Sequence, residues 1–263
     1  NIGPGTWKAL VKPGKRLGTG QLFDINGIAG QILDDPGDGT RVIHLDDGEV
    51  IRNSGEIPLP PYIKASLANP DRYQTVYAKT DGSAAAPTAG LHFTTELLEI
   101  LRLNGMELAR VMLHVGLDTF KPIEVEDPLQ HKIHSEYFEF GDQAAKQVNT
   151  ARNEGRRIIC VGTTTMRVLE QVAVNANHNN KSTLQPQSGW ANLFILPGHK
   201  FQVADGLITN FHLPKSSLLM LVAAFMCSEL ANKSDLQLLT KAYEEAKSTG
   251  YRFYSFGDCM FIS

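Results

Sequence analysis

The sequence predicts a mixed α/β protein: an α/β domain on a mostly buried mixed sheet, preceded by a small antiparallel β-barrel domain. Three observations lead there. Residues 1 to 61 hold 11 of the 23 glycines, set between short runs of strand-forming residues. From Arg72 onward, apolar strand-like runs alternate with helical stripes. The 263 residues are 42% hydrophobic and 20% charged, which supplies a core and excludes whole-chain disorder, collagen or coiled coil.

In the first part, strands are expected at Thr6 to Lys12, Gly20 to Ile25, Ala29 to Leu33, Thr40 to Leu45 and Glu49 to Arg52. Turn clusters such as Asp35-Pro-Gly-Asp-Gly39 and Asp46-Asp-Gly48 separate them, a spacing that suits a small antiparallel barrel or sandwich. Pro58-Leu-Pro-Pro-Tyr62 marks the boundary, because closely spaced prolines exclude a regular ladder; the domains are 1 to 61 and 62 to 263. Beyond it, a helix is expected near 95 to 104, capped by Thr94 or Thr95, then a buried strand at Val111 to Val115. A helix over Gly141 to Asn153, a strand at Ile158 to Val161 and a helix over Thr163 to Ala173 follow. Leu193 to Leu196 reads as a strand, and Leu218, Leu221, Val222 and Phe225 form the stripe of an amphipathic helix. Leu236 to Lys247 adds another helix; for Tyr251 to Asp258, an aromatic-rich strand with Asp258 as a turn residue is the plain alternative to a binding role.

Charge and cysteine content narrow the function classes. With 25 basic and 28 acidic residues the formal charge is −3, so a nucleic-acid partner would need a local basic face. The longest apolar run, Leu218 to Cys227, is half of what a membrane span requires, so no membrane association is expected. Cys160, Cys227 and Cys259 form no Cys-x-x-Cys pair and suit the reducing cytoplasm. The chain starts at Asn1, inside what reads as a turn, and a preceding segment is expected.

Four stretches place polar residues where a packed core would not ask for them. Ala84-Ala-Ala-Pro-Thr-Ala-Gly-Leu-His-Phe93 is a small-residue loop entering a helix, where backbone N–H groups can approach a ligand; a plain turn with a packing His92 is an equal reading. Leu113-His-Val-Gly-Leu-Asp-Thr-Phe120 and His131-Lys-Ile-His-Ser-Glu136 gather histidines and a carboxylate. They lack a cysteine pair or a His-Glu-x-x-His motif, so acid–base work is favoured and no metal is expected. Ile158-Ile-Cys-Val-Gly-Thr-Thr-Thr-Met-Arg167 runs from strand through glycine into helix, the usual ligand crevice of an open α/β sheet. No Gly-x-Gly-x-x-Gly fingerprint or Walker loop is present. Val203 to Ser217 places Asp205, Asn210 and His212 along an apolar run.

Arg72-Tyr-Gln-Thr-Val-Tyr-Ala78, Ala86-Pro-Thr-Ala-Gly-Leu-His-Phe93, His114-Val-Gly-Leu117, His134-Ser-Glu136, Gly162-Thr-Thr164, Asp205-Gly-Leu-Ile-Thr-Asn-Phe-His-Leu-Pro214 and Tyr251-Arg-Phe253 occur in this order. Together they closely resemble the S-adenosylmethionine:tRNA ribosyltransferase-isomerase family of the queuosine pathway. The likeness extends from about Thr6, including Trp7 to Lys15, to the last residue. It departs at Asp118, where the family usually carries a small residue, and in lacking the family's further N-terminal segment.

The resemblance implies transfer and isomerisation of the ribosyl moiety of S-adenosylmethionine onto the 7-aminomethyl-7-deazaguanine wobble base of tRNA. The products would be epoxyqueuosine-tRNA, adenine and methionine, with S-adenosylmethionine consumed as a substrate and no cofactor. His92, His114, Glu136 and Asp205 are the catalytic candidates. Thr88, Gly90, Gly162, Thr163, Thr164, Arg167, Asn210, His212 and Asp258 are the substrate-binding candidates. Lys12, Lys15, Arg16 and Lys215 are the candidates for RNA phosphates. A monomer is expected. A small-molecule hydrolase with a His/Glu site and a non-catalytic RNA-binding protein are the competing classes.

Overall fold

The computed structural model describes residues 2–47, 57–60, 62–64, 67–116, 133, 135–179, 181–227 and 233–263, the side chains of 233–236 excepted. The chain divides into two compact units, Asn1–Ile57 and Pro58–Ser263.

The first unit carries β1 (Thr6–Leu10), β2 (Leu22–Ile25), β3 (Ile28–Asp34) and β4 (Thr40–Leu45). They pair antiparallel in the order β1-β4-β3-β2. Among the described residues β1 and β2 do not meet, so the sheet is open and the expected barrel is not found. The expected strand at Glu49 to Arg52 lies outside the described residues. One face of the sheet buries Ile32, Ile43 and Leu45 against Trp7, Val11, Leu17 and Phe23.

In the second unit the single mixed sheet is replaced by two sheets of three strands. β7 (Ile159–Val161) runs parallel to β9 (Gly206–Asn210), which pairs antiparallel with β10 (Cys259–Ile262). β5 (Met112–His114), β6 (Glu136–Phe140) and β8 (Gln187–Ala191) form an antiparallel sheet in the order β5-β6-β8. Five helices accompany them among the described residues: α1 (Thr95–Leu103), α2 (Asp142–Asn153), α3 (Thr163–His178), α4 (Ser217–Met226) and α5 (Lys233–Ser248). None of the described helices is long and apolar enough to cross a membrane.

Local chemistry explains most boundaries. Thr94, rather than Thr95, caps α1 by accepting from the Leu97 N–H at 3.1 Å, and Ser216 caps α4 by accepting from Leu219 N–H at 3.2 Å. The central helix α3 buries Met166, Val168, Leu169, Val172, Ala173 and Ala176. Met166 is fully buried, so its truncation to Ala would cost about 2–5 kcal/mol. On the same helix the fully buried carboxylate of Glu170 accepts from the N–H groups of Gln202 (3.0 Å) and Val203 (3.1 Å), fastening the approach to β9.

The strand expected at Leu193 to Leu196 is absent, and so is the alternative strand at Tyr251 to Asp258. Residues 193–196 are irregular, because side chains take the backbone groups that a neighbouring strand would use. Arg167 donates to the carbonyls of Ala191 and Leu193, and Gln171 Oε1 accepts from the N–H groups of Asn192 and Leu193. Residues 251–258 form a turn-rich loop in which Tyr254 adopts φ +70°. The strand there begins only at Cys259.

Candidate active site

Because β7 and β9 are parallel, their carboxyl ends reach the same edge, and the chain turns from β7 into α3 through Gly162. Gly162 has φ +91°, a conformation that side-chain-bearing residues rarely adopt. It supplies no side-chain cap. The first-turn N–H groups of Thr163, Thr164 and Thr165 therefore find no acceptor among the described residues. Thr163 is 7% exposed, and its hydroxyl bonds to no described residue.

Two small, open clefts lie on this corner, sharing Thr163, Thr164 and Leu218. One passes between the Ala85–Ala89 stretch, Gly162 and the end of β9, where Thr209, Asn210 and His212 line it. The other is walled by Glu136, Arg167, the Leu193–Ile195 stretch and the start of α4. Free helix N–H donors beside hydroxyls form a seat for an anionic group, and the apolar walls suit a flat or aliphatic one.

In the first cleft Asn210 is the hub. It is 2% exposed; its Oδ1 accepts from Thr88 Oγ1 at 3.0 Å, and its Nδ2 lies 3.1 Å from His92 Nε2 and 3.2 Å from the Tyr254 carbonyl. Burial pushes the His92 ring below the ordinary histidine range, opposed by the Asp258 carboxylate and reinforced by Arg252. His212 Nε2 meets Thr209 Oγ1 at 2.8 Å, and burial pushes that ring down to about 4. Both rings are neutral near pH 7. Asp258 accepts from the backbone N–H of Arg252 and pairs with its guanidinium at 3.0 Å, which holds its carboxyl below the usual range.

In the second cleft Glu136 and Arg167 form a buried ion pair at 2.7 Å. Glu136 also accepts from Gly116 N–H, while Arg167 donates to two carbonyls. Both side chains are engaged in holding β6, α3 and residues 191–193 together, an arrangement that does not favour Glu136 as a proton acceptor.

The remaining candidates stand apart from the clefts. Asp205 is exposed at the opposite end of β9, where its carboxylate accepts from Ile158 N–H at 2.8 Å. Five residues of strand put it about 16 Å from Asn210. His114 lies on β5 with its ring stacked on Tyr137 at 6.0 Å and lines neither cleft, although its neighbour Val115 lines the first. Gly90 is a packing residue: a Cβ there would lie 2.0 Å from the Tyr77 hydroxyl. His131 and His134 lie outside the described residues. Lys12, Lys15 and Arg16 are exposed on the first unit, where Arg41 holds their loop by donating to the carbonyls of Gly14 and Leu17. Lys215 is exposed just before α4. Among the described residues no three His, Cys, Asp or Glu side chains gather as a metal site.

Sequence reasoning missed Thr209, Tyr254 and the Leu193–Ile195 stretch. Thr209 sits inside a motif already singled out. For the Tyr254 carbonyl, no side-chain pattern could have served as a signal.

The fold is that of a mixed α/β protein with two clefts at the carboxyl ends of two parallel strands. More particularly, the chain belongs to the queuosine biosynthesis protein family, whose pattern matches residues 2–262. It is 49% identical to the S-adenosylmethionine:tRNA ribosyltransferase-isomerase of Dehalococcoides mccartyi, over 99% of this chain and 74% of that protein. It is 51% identical to the enzyme of the same name from Carboxydothermus hydrogenoformans, over 97% of this chain and 73% of that one. A crystal structure of S-adenosylmethionine tRNA ribosyltransferase from Thermotoga maritima superposes with a TM-score of 0.50 at 32% identity, covering 100% of this chain and 72% of that one.

Proposed function

We propose that this protein is a transferase-isomerase of queuosine biosynthesis. It moves the ribosyl moiety of S-adenosylmethionine to the aminomethyl group of the 7-deazaguanine wobble base of tRNA and isomerises it, giving epoxyqueuosine-tRNA. Adenine and methionine leave, so S-adenosylmethionine is a substrate rather than a cofactor. The observation that carries this reading is the near-complete likeness to relatives of that name, at 49% and 51% identity.

The clefts support it chemically. A sulfonium acidifies the neighbouring C5′ protons, so a polar, partly dry site can begin the sequence without a metal-activated nucleophile. We assign the methionine carboxylate to the free N–H groups and hydroxyls of Thr163 and Thr164, where the helix end favours negative charge. The adenosine part lies along Thr88, Asn210 and His212, with His92 beside Asn210 and its Nδ1 turned to the substrate. Arg167 and Glu136 act as the wall of the second cleft. The phosphates of tRNA meet Lys12, Lys15 and Arg16 on the first unit and Lys215 on the second. The protein acts in the cytoplasm as a monomer; no disulfide joins Cys160, Cys227 and Cys259.

The test incubates protein, S-adenosylmethionine and precursor-bearing tRNA, then separates the products by chromatography. Adenine and methionine in equal amounts, with mass added at the wobble base, are expected. S-adenosylhomocysteine and methylated RNA would overturn the reading. Turnover without S-adenosylmethionine would favour a hydrolase, and binding without turnover a plain RNA-binding protein.

A further inference from the structure

We infer that Asn210 is a positioning residue that holds His92 as its Nδ1–H tautomer, so that His92 meets a substrate as a hydrogen-bond donor and not as a proton acceptor. The carbonyl of Tyr254 can only accept, so the Asn210 atom 3.2 Å from it must be the amide nitrogen. That same nitrogen lies 3.1 Å from His92 Nε2. Its two hydrogens are thus directed at two acceptors, and Nε2 must present its lone pair. A proton on Nε2 would set two donors against each other. The other end of the amide agrees, because Oδ1 accepts from Thr88 Oγ1 at 3.0 Å. Flipping the amide would turn its oxygen toward the Tyr254 carbonyl.

The three groups around the amide come from two separate parts of the chain, and each is anchored. Thr88 and His92 close one 3₁₀ turn, Thr88–His92. The backbone of Asn210 is paired with Cys259 across β9 and β10. Tyr254 is held by its own N–H donating to the Phe211 carbonyl at 3.1 Å, and its carbonyl also accepts from Gly257 N–H at 3.0 Å. Asp258 and Arg252 are the charged groups that act on the His92 ring; burial outweighs the carboxylate, and the ring stays neutral. A neutral ring with Nε2 engaged offers Nδ1–H as its free polar function. Proton abstraction by His92 would first require the Asn210 contact to break. The tautomer rests on this geometry alone; its consequence for turnover rests on the ribosyl-transfer reading.

The experiment is long-range ¹H–¹⁵N correlation on uniformly ¹⁵N-labelled protein, with His92→Gln used to assign the ring among eight. At neutral pH the expected spectrum shows Nδ1 protonated, Nε2 unprotonated and a nitrogen–nitrogen coupling across the Asn210–His92 hydrogen bond. An Nε2–H tautomer or an imidazolium overturns the inference. In Asn210→Asp a carboxylate replaces the donor, so His92 should gain a proton on Nε2 and its titration midpoint should rise by about 1–3 pH units. A folded variant with an unmoved midpoint overturns the positioning role; should that variant melt early, the wild-type coupling decides. The acid limb of the adenine-release profile should rise with the midpoint. A limb that stays put while the midpoint moves overturns the positioning role and leaves the ribosyl-transfer reading standing.

Discussion

Glu136 on β6 and Arg167 on α3 are joined by a 2.7 Å ion pair at 4% and 9% side-chain exposure. The pair links the antiparallel sheet to the helix whose first turn forms the corner of both clefts. Removing one partner of such a pair leaves a buried charge behind, at a cost of about 3–5 kcal/mol. Glu136→Gln and Arg167→Met should therefore each lower the melting temperature strongly. A Glu136→Gln protein that melts normally but fails to turn over would restore Glu136 as an acid–base group.

Thr163→Ala should weaken S-adenosylmethionine binding while the fold stays intact. The hydroxyl bonds to no described residue, so its loss costs the empty protein little. A hydrogen bond to a charged group contributes about 1.5–3 kcal/mol, so calorimetry should show affinity lowered roughly tenfold or more. Unchanged affinity would move the carboxylate away from this helix end.

Asp205→Asn should leave turnover close to wild type. Its carboxylate bonds to Ile158 N–H at the far end of β9, so the loss should appear as about 0.5–1.5 kcal/mol of stability. A rate falling a hundredfold in a protein that melts normally would instead place Asp205 in the reaction.

Acidification should destabilise the protein in a window set by His212. Its folded value lies at about 4, below the ordinary value of 6.5. Between these values the unfolded chain binds the proton and the folded one does not, so stability falls as pH drops from about 6.5 toward 4. His92 shifts in the same direction. Melting curves across this range check the sign, and His212→Gln should flatten the dependence. A melting temperature constant over the window would mean that the ring is already protonated in the fold.

Binding of tRNA should weaken steeply with salt despite the formal charge of −3. Replacing Lys12, Lys15 and Arg16 with Ala should reduce affinity for all tRNAs alike and lower the log–log slope by about 1 per lost phosphate contact. An unaltered slope would mean that this loop is not where the RNA docks.

Much of the second unit was legible because its signals are local. The capping role of Thr94 or a neighbour, the strand–glycine–helix passage from Ile158 to Arg167 and the apolar stripe from Leu218 to Phe225 each depend on residues within about two turns. Reading failed where backbone groups are satisfied from far away. The strand expected at Leu193 to Leu196 is irregular because Arg167 and Gln171 take its hydrogen bonds. Among the described residues the expected barrel is not found and the four strands form an open sheet, since strand propensity says nothing about which edges meet.

By itself, the sequence determined the alternation of strands and helices, the small-residue corner at Gly162 to Thr164 and the ordered motifs that carry the family likeness. Only the tertiary structure decided which polar residues meet. Thr88 and His92 lie 122 and 118 positions from Asn210, yet both touch its amide. Asp205 lies five positions from Asn210 and faces a different end of the sheet. The physical reason is the parallel register of β7 and β9, which brings one end of each strand to the cleft and carries the other away. That register comes from pairing between distant segments, and no local pattern encodes it.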